Sequence, residues 1–206
     1  MTSLDDEKRR AAEAAAELVE DGMTVGLGTG STVAHLLPAL ARRGLRGLRC
    51  VATSVATERQ ARELGLPVEP FDELDRLDIA IDGADQVTPD KWLIKGGGGA
   101  HTREKIVAAA AERFVVIVSS DKLVDALRPP VPVELHAFGL RATLRHLEPC
   151  TLREAARSPD GGVIADYQGD VDDPQALSAW LSGTPGVVDH GLFGPSLVAE
   201  IVVGRP

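Results

Sequence analysis

Lysine and cysteine are scarce in this chain, net positive charge is absent, and no long apolar run occurs. No stretch approaches the roughly 18 consecutive apolar residues that a membrane-crossing helix needs. The opening residues, MTSLDDEKRR, mix acids and bases with no apolar segment behind them, so a helix start is expected there and not a secretion signal. Cys50 and Cys150 are the only two cysteines, lie far apart and form no CxxC pair, which predicts reduced thiols in a cytoplasmic protein. The five histidines have neither HxH nor HExxH spacing, so no metal site is expected. A net charge of −9 argues against a nucleic-acid surface, which needs clustered cations. It still allows a small phosphorylated ligand, since a few cations and backbone amides can hold one phosphate.

The lysine shortage is informative because arginine is not short. Against 17 arginines there are five lysines: Lys8, Lys91, Lys95, Lys105 and Lys122. Lysine is a compact point charge and arginine a planar fork, so a lysine beside a glycine-rich loop stands out.

The 206 residues, 44% hydrophobic and 26% charged, suffice for one good core and a smaller second one. Ser3, with Asp6 three residues on, predicts a capped helix running to Glu20 and stopping at Gly22. Strand-like runs follow at Met23–Leu27, Leu48–Ala52, around Val68, and at Leu77–Ile81, Trp92–Ile94 and Phe114–Val118. Helical patterns at Ser31–Arg43, Ala56–Leu64 and Thr102–Arg113 separate them. Strand, glycine turn and helix in alternation predict a Rossmann-like α/β domain with a parallel sheet. After Arg128-Pro129-Pro130 the pattern becomes βαββαβ: Val131–His136, Leu140–Leu147, Thr151–Ala155, Val163–Tyr167, a helix from Asp173 to Leu181, and Val187–His190. That order is the ferredoxin-like arrangement, an α+β unit. Leu197–Val203 is expected to return to the first sheet. The expected domains are therefore 1–128 with 191–206, and 129–190.

Four segments carry chemistry. Gly26-Leu27-Gly28-Thr29-Gly30-Ser31-Thr32 joins a strand to a helix, where amides and the helix dipole favour an anion. It departs from the dinucleotide fingerprint, which would need glycine at Ser31 and an acid in place of Thr53-Ser54. Asp82-Gly83-Ala84-Asp85 puts two carboxylates after an apolar strand, suited to sugar hydroxyls or a lysine. Lys95-Gly96-Gly97-Gly98-Gly99 leads into a helix holding Glu104 in its first turn. Four glycines carry a large entropic cost unless their amides or a close approach are needed. The dipole favours the Glu104 carboxylate, while burial works the other way toward a useful base. Taken alone, Glu104 reads as an ordinary helix-start glutamate. Ser119-Ser120-Asp121-Lys122 follows the last apolar run, and Lys122 read alone is a loop lysine.

As a set, these segments, with Thr53, Ser54 and Thr57, Pro132-Val133-Glu134, and Pro185-Gly186-Val187-Val188 leading to Gly191-Leu192-Phe193, closely resemble type A ribose-5-phosphate isomerases. The resemblance implies a catalytic domain with a ferredoxin-like lid, no cofactor, and a homodimer or homotetramer. It implies Glu104 as proton acceptor, with Lys95, Asp82 and Asp85 as further catalytic groups. Substrate contacts would come from Thr29, Gly30, Ser31 and Thr32, from Asp82, Gly83, Ala84 and Asp85, from Lys95, Gly96, Gly97 and Gly98, and from Lys122 and Lys8. Gln86, Asp121 and His101-Thr102 depart from the family pattern. A sugar-phosphate sensor of similar fold is the rival, but it would carry a basic helix-turn-helix segment. A related sugar-phosphate deaminase or lactonase would lack the Asp82–Asp85 and Lys95–Gly99 segments together.

Overall fold

Residues 3–205 are described by a computed structural model, apart from the side chains of residues 155 and 156. In chain order the elements are α1 (Leu4–Ala16), β1 (Thr24–Leu27), α2 (Ser31–Arg43), β2 (Arg49–Ala52), α3 (Val55–Glu63), β3 (Leu77–Asp82), β4 (Gln86–Val87), β5 (Leu93–Ile94), α4 (His101–Ala110) and β6 (Ala111–Val118). Then come β7 (Val131–Leu135), α5 (Leu140–His146), β8 (Cys150–Arg157), β9 (Val163–Tyr167), α6 (Pro174–Gly183), β10 (Val187–His190), β11 (Leu192–Phe193) and β12 (Val198–Val203).

Two compact units result. The first comprises 1–84, 103–122 and 196–206; the second comprises 85–102 and 123–195. Sequence alone placed 85–102, 123–128 and 191–195 with the first unit; their contacts lie with the second. The reason is local: β4, β5 and β11 form their own antiparallel sheet, in the order β11-β5-β4, which ties those segments together.

The first unit is built on a five-stranded parallel sheet in the order β12-β6-β3-β1-β2. Strand order therefore reverses between β1 and β3. In open α/β sheets that switch point, at the carboxyl ends of the strands, is where ligands bind. The core joins Ala11, Ala12, Ala15 and Ala16 of α1 and Val33, Leu36, Leu37 and Leu40 of α2 to Val25, Ile79, Val115 and Ile117 of the sheet. Helix α2 has its start and stop where the pattern predicts them, ending at Gly44 in the left-handed region. Helix α1 has the expected Ser3 cap, the hydroxyl accepting the Asp6 amide, but ends at Ala16 and not at Glu20. Arg43 is the cause: it donates to the carbonyls of both Ala16 and Val19, meeting the helix end from outside. Helix α4 also stops short of Arg113. Ala111 to Arg113 pair with Leu77 and Ile79 of β3, and sheet pairing overrides the helical propensity of the alanine run. Val68 forms only an isolated bridge to Cys50.

The second unit carries the four-stranded antiparallel sheet β10-β7-β9-β8, the ferredoxin-like order, with α5 and α6 between its strands in sequence. Asp173 caps α6 by accepting the Ala176 amide, with Pro174 in the first turn. Its core gathers Val131, Val133, Leu135, Leu147, Ala165 and Leu181. No helix among the described residues is long and apolar enough to cross a membrane.

Two predictions follow from the packing. Asp78 on β3 accepts from the amide and hydroxyl of Thr24 on β1, at 2.7 and 2.8 Å, and these bonds hold its carboxyl below the usual carboxylate range. A depressed carboxyl stabilises the fold above its unfolded value and loses that contribution as pH falls through the folded one. Asp78→Asn should thus cost about 1–3 kcal/mol at pH 7 in urea unfolding. The gap to the unsubstituted protein should close below about pH 4; a gap constant with pH would refute the linkage. Burial also pushes the Cys50 thiol up to about 12, with Glu69 adding to it, and the Cys150 thiol up to about 11. Both thiols should resist a disulfide reagent at pH 8 in the folded protein and react at once in denaturant.

Candidate functional site

In the first unit, three loops lie side by side at the carboxyl ends of neighbouring strands: Gly28–Thr32 after β1, Asp82–Ala84 after β3, and Ser119–Lys122 after β6. The Gly28 amide donates to Ile81 O at 3.0 Å, so the first loop leaves the sheet in register with β3. A Cβ at Gly28 would overlap the Asp82 carboxyl, and that close approach demands glycine. Asp82, 3% exposed, accepts the amides of Thr29 at 3.0 Å and Gly83 at 2.7 Å through Oδ1. Thr53 and Thr57 hold the loop from the other side: Thr53 Oγ1 lies 2.8 Å from Thr29 Oγ1, and Thr57 Oγ1 donates to Gly28 O at 2.9 Å. Gly30 precedes α2 at φ 122, a conformation that favours glycine. It offers no side chain to cap the helix, so the amides at Ser31 and Thr32 open the helix with the positive end of its dipole.

Glu104 is 4% exposed on α4. Val107, one turn later on the same helix face, packs where a Cβ at Gly26 of β1 would fall. Because α4 leads into the parallel strand β6, its amino end lies toward the carboxyl ends of the strands. Glu104 is thereby one turn nearer to the Gly28–Asp82 junction than Val107 is.

Lys122, about one-third exposed, pairs with Asp121 at 3.3 Å. Partial burial disfavours the Asp121 charge, yet the Ser119 hydroxyl at 2.5 Å and the Lys122 ammonium together hold its carboxyl below the usual range. Glu7 of α1 accepts the Ser120 amide at 2.6 Å, and that bond, with the Ser120 hydroxyl, keeps its carboxyl low. Glu7 thus anchors the turn that carries Lys122, next in sequence to Lys8. Sequence reasoning missed Glu7, because its partner is 113 residues away.

In the second unit, Lys95 is 2% exposed, with Nζ 5.4 Å from the centroid of the Phe193 ring. Its amide donates to Gly191 O at 2.8 Å. Gly96 turns the chain at φ 98, against the buried ring of His101. The Gly97 amide donates to Asp85 Oδ2 at 2.8 Å. Gly97 was expected to offer its amide to a ligand along with Gly96 and Gly98; that amide is already engaged. The two carboxylates of the Asp82–Asp85 segment therefore serve different partners and fall in different units. Arg153 holds the carbonyls of Gly96 and Gly97 at 3.0 Å each, a contact that nothing in the sequence pattern indicated.

The departures from the family pattern find uses here. Gln86 donates to Arg128 O and accepts the Arg128 amide, both at 2.8 Å, a two-point pair that a glutamate could not complete. Thr102 donates to Glu134 at 2.5 Å, and Ser158 donates to the same buried carboxylate at 2.6 Å. Among the described residues, no group of three or more His, Cys, Asp or Glu side chains gathers as a metal site.

Comparison with known proteins bears on the family and the fold. The family model described as ribose 5-phosphate isomerase A (phosphoriboisomerase A) matches residues 49–206, and that of the DeoR C terminal sensor domain matches residues 4–63. The ribose-5-phosphate isomerase A of Caulobacter vibrioides is 48% identical over 98% of this chain and 95% of its own length. That of Roseiflexus sp. is 46% identical over 96% and 91%. Among solved structures, ribose 5-phosphate isomerase A from Neisseria gonorrhoeae superposes with a TM-score of 0.95 at 34% identity, covering 100% of this chain and 95% of that one. The Methanocaldococcus jannaschii enzyme gives 0.92 at 36% identity, over 98% and 96%. The translation initiation factor eIF-2B from Pyrococcus horikoshii OT3, at 16% identity and a TM-score of 0.59, shares the fold alone. With sequence and backbone matched along nearly its whole length, the chain belongs to the ribose 5-phosphate isomerase A family.

Proposed function

We propose that this chain interconverts D-ribose 5-phosphate and D-ribulose 5-phosphate through an enediolate, within the non-oxidative pentose phosphate pathway, with Glu104 as the base. The observation that carries the reading is the placement of Glu104. It is a buried carboxylate one turn from the residue that packs on Gly26, at the strand ends where Asp82 fixes the Gly28–Thr32 loop. The relatives named for this activity support it, as does a solved D-ribose-5-phosphate isomerase in complex with phospho-erythronic acid, which superposes at a TM-score of 0.91 and 33% identity.

The open-chain aldose binds with its phosphate on the amides of the Gly28–Thr32 loop, assisted by Lys8 and Lys122. The Glu104 carboxylate takes the proton from C2, and the electron pair left behind forms the C1–C2 double bond as charge moves to O1. Glu104 then returns the proton to C1 while the O2 proton passes to O1, leaving the ketone at C2. Negative charge on oxygen is highest in the intermediate, so donors fixed beforehand lower the barrier most. Lys95 and the amides of Gly96 and Gly98 take that role. Asp82 and Asp85 orient sugar hydroxyls while holding the loops. The sequence match to a sensor domain covers only residues 4–63, without Asp82, Lys95 or Glu104.

Direct assay of ribose 5-phosphate conversion, with and without a chelator, tests the reading. Chelator-insensitive turnover is expected; chelator-sensitive turnover overturns the metal-free mechanism, and absence of turnover favours the sensor. Glu104→Gln should lower kcat by roughly 10²–10⁴ with the fold intact by circular dichroism, the usual cost of removing a positioned base. Near-wild-type turnover would remove Glu104 from the role. Gly28→Ala forces the Asp82 carboxyl to move; it should destabilise the protein by about 1–3 kcal/mol and weaken inhibition by inorganic phosphate.

A further inference from the structure

The Lys95–Gly99 loop is gripped by a residue that the proposed reaction does not use. Arg153, on β8, donates from Nε to Asp166 Oδ2 and from Nη2 to Asp166 Oδ1 on the neighbouring β9, both at 2.7 Å. This bidentate pair fixes the plane of the guanidinium. The side chains are only 22% and 18% exposed, so solvent competes weakly. The remaining nitrogen, Nη1, lies 3.0 Å from both Gly96 O and Gly97 O. One planar group thus reads a carboxylate on one side and two successive loop carbonyls on the other.

In a trans peptide the carbonyl of one residue points opposite to the amide of the next. Holding Gly96 O therefore aims the Gly97 amide away from Arg153, and that amide meets Asp85. Holding Gly97 O does the same for the Gly98 amide. Gly98 is exposed, and its amide has no acceptor among the described residues. A glycine run has no side chains to set these planes, so something outside the loop must.

We propose that Arg153, locked by Asp166, is a positioning residue for the isomerisation: by gripping the Gly96 and Gly97 carbonyls it fixes the direction of the Gly98 amide, the donor that the proposed mechanism assigns to the enediolate. The proposal rests on the isomerase reading, and it concerns charge that develops during reaction, not the binding of phosphate. Lysine at 153 keeps the charge but cannot reach a carboxylate and two carbonyls from one plane. Asparagine at 166 keeps the shape but weakens the lock.

The test uses the full chain with Arg153→Lys, Arg153→Ala and Asp166→Asn. Arg153→Lys and Asp166→Asn should lower kcat by roughly 10- to 10²-fold, at or somewhat below the usual loss of an oxyanion donor. KM and the inhibition constant of inorganic phosphate should stay within about threefold, since the uniform binding of phosphate is untouched. Millimolar guanidinium should restore part of the kcat of Arg153→Ala. Unchanged kcat in Arg153→Lys overturns the proposal, as does a kcat loss matched by an equal rise in the phosphate inhibition constant. Amide exchange across Gly96–Gly99, measured without substrate, separates the clamp from the reaction. It should be faster in Arg153→Lys, and unchanged exchange overturns the clamp. If the unsubstituted protein fails to turn over ribose 5-phosphate, the isomerase reading falls while exchange still decides whether Arg153 sets the loop.

Discussion

The close approach of Gly28 to the Asp82 carboxyl is the constraint on which the first unit depends. The carboxylate is buried at the point where strand order reverses, and it stays there because amides from two adjacent loops, Thr29 and Gly83, donate to it. A desolvated carboxylate without such donors would be costly. With them it becomes a pin that joins the loop after β1 to the loop after β3. Thr57 of α3 and Thr53 at the end of β2 complete the arrangement, so the Gly28–Thr32 loop is held on two sides by short polar groups. The amides of α2 are thereby presented without a side-chain cap competing for them.

The second unit solves a similar problem with the opposite charge. There a cation, Arg153, holds carbonyls, and a carboxylate, Asp85, holds an amide. The glycine loop is permissive by composition but not by contact. Its entropic cost is offset by bonds to both ends of the Gly96–Gly97 peptide unit and to the carbonyl of the next one, which limits the freedom that a run of glycines would otherwise have.

Much of this was legible in the sequence, and what was not has a physical cause. Caps at Ser3 and Asp173, the limits of α2, and the βαββαβ order follow from local rules, because each depends on residues within a few positions of one another. The ends of α1 and α4 were misjudged because distant partners set them: Arg43 meets the carbonyls of α1, and β3 captures Ala111–Arg113. The candidate site divides the same way. Glycines and paired aspartates announce themselves by type and spacing, whereas Glu104 alone reads as an ordinary helix-start glutamate and stands out only through the segments around it. Glu7 and Arg153 do not, since a helix-start glutamate and a strand arginine look alike whether or not a loop 113 or 57 residues away depends on them.

The lysine shortage acquires a sharper meaning from these contacts. Arginines take the jobs that need a fork: Arg43 on two carbonyls of α1, Arg153 on a carboxylate and two more carbonyls. The lysines assigned to substrate are left as point charges. Of these, Lys122 is accompanied by Asp121, whose carboxylate is kept ionised by Ser119 and by the lysine itself. A fully paired lysine would bind phosphate poorly, but this pair is about one-third exposed, where water and salt weaken it. On the proposed function, an incoming phosphate, doubly charged and excluding water, would compete well for the same ammonium. Asp121 would thus hold Lys122 in place while the site is open to solvent, and its hold would weaken when the substrate arrives.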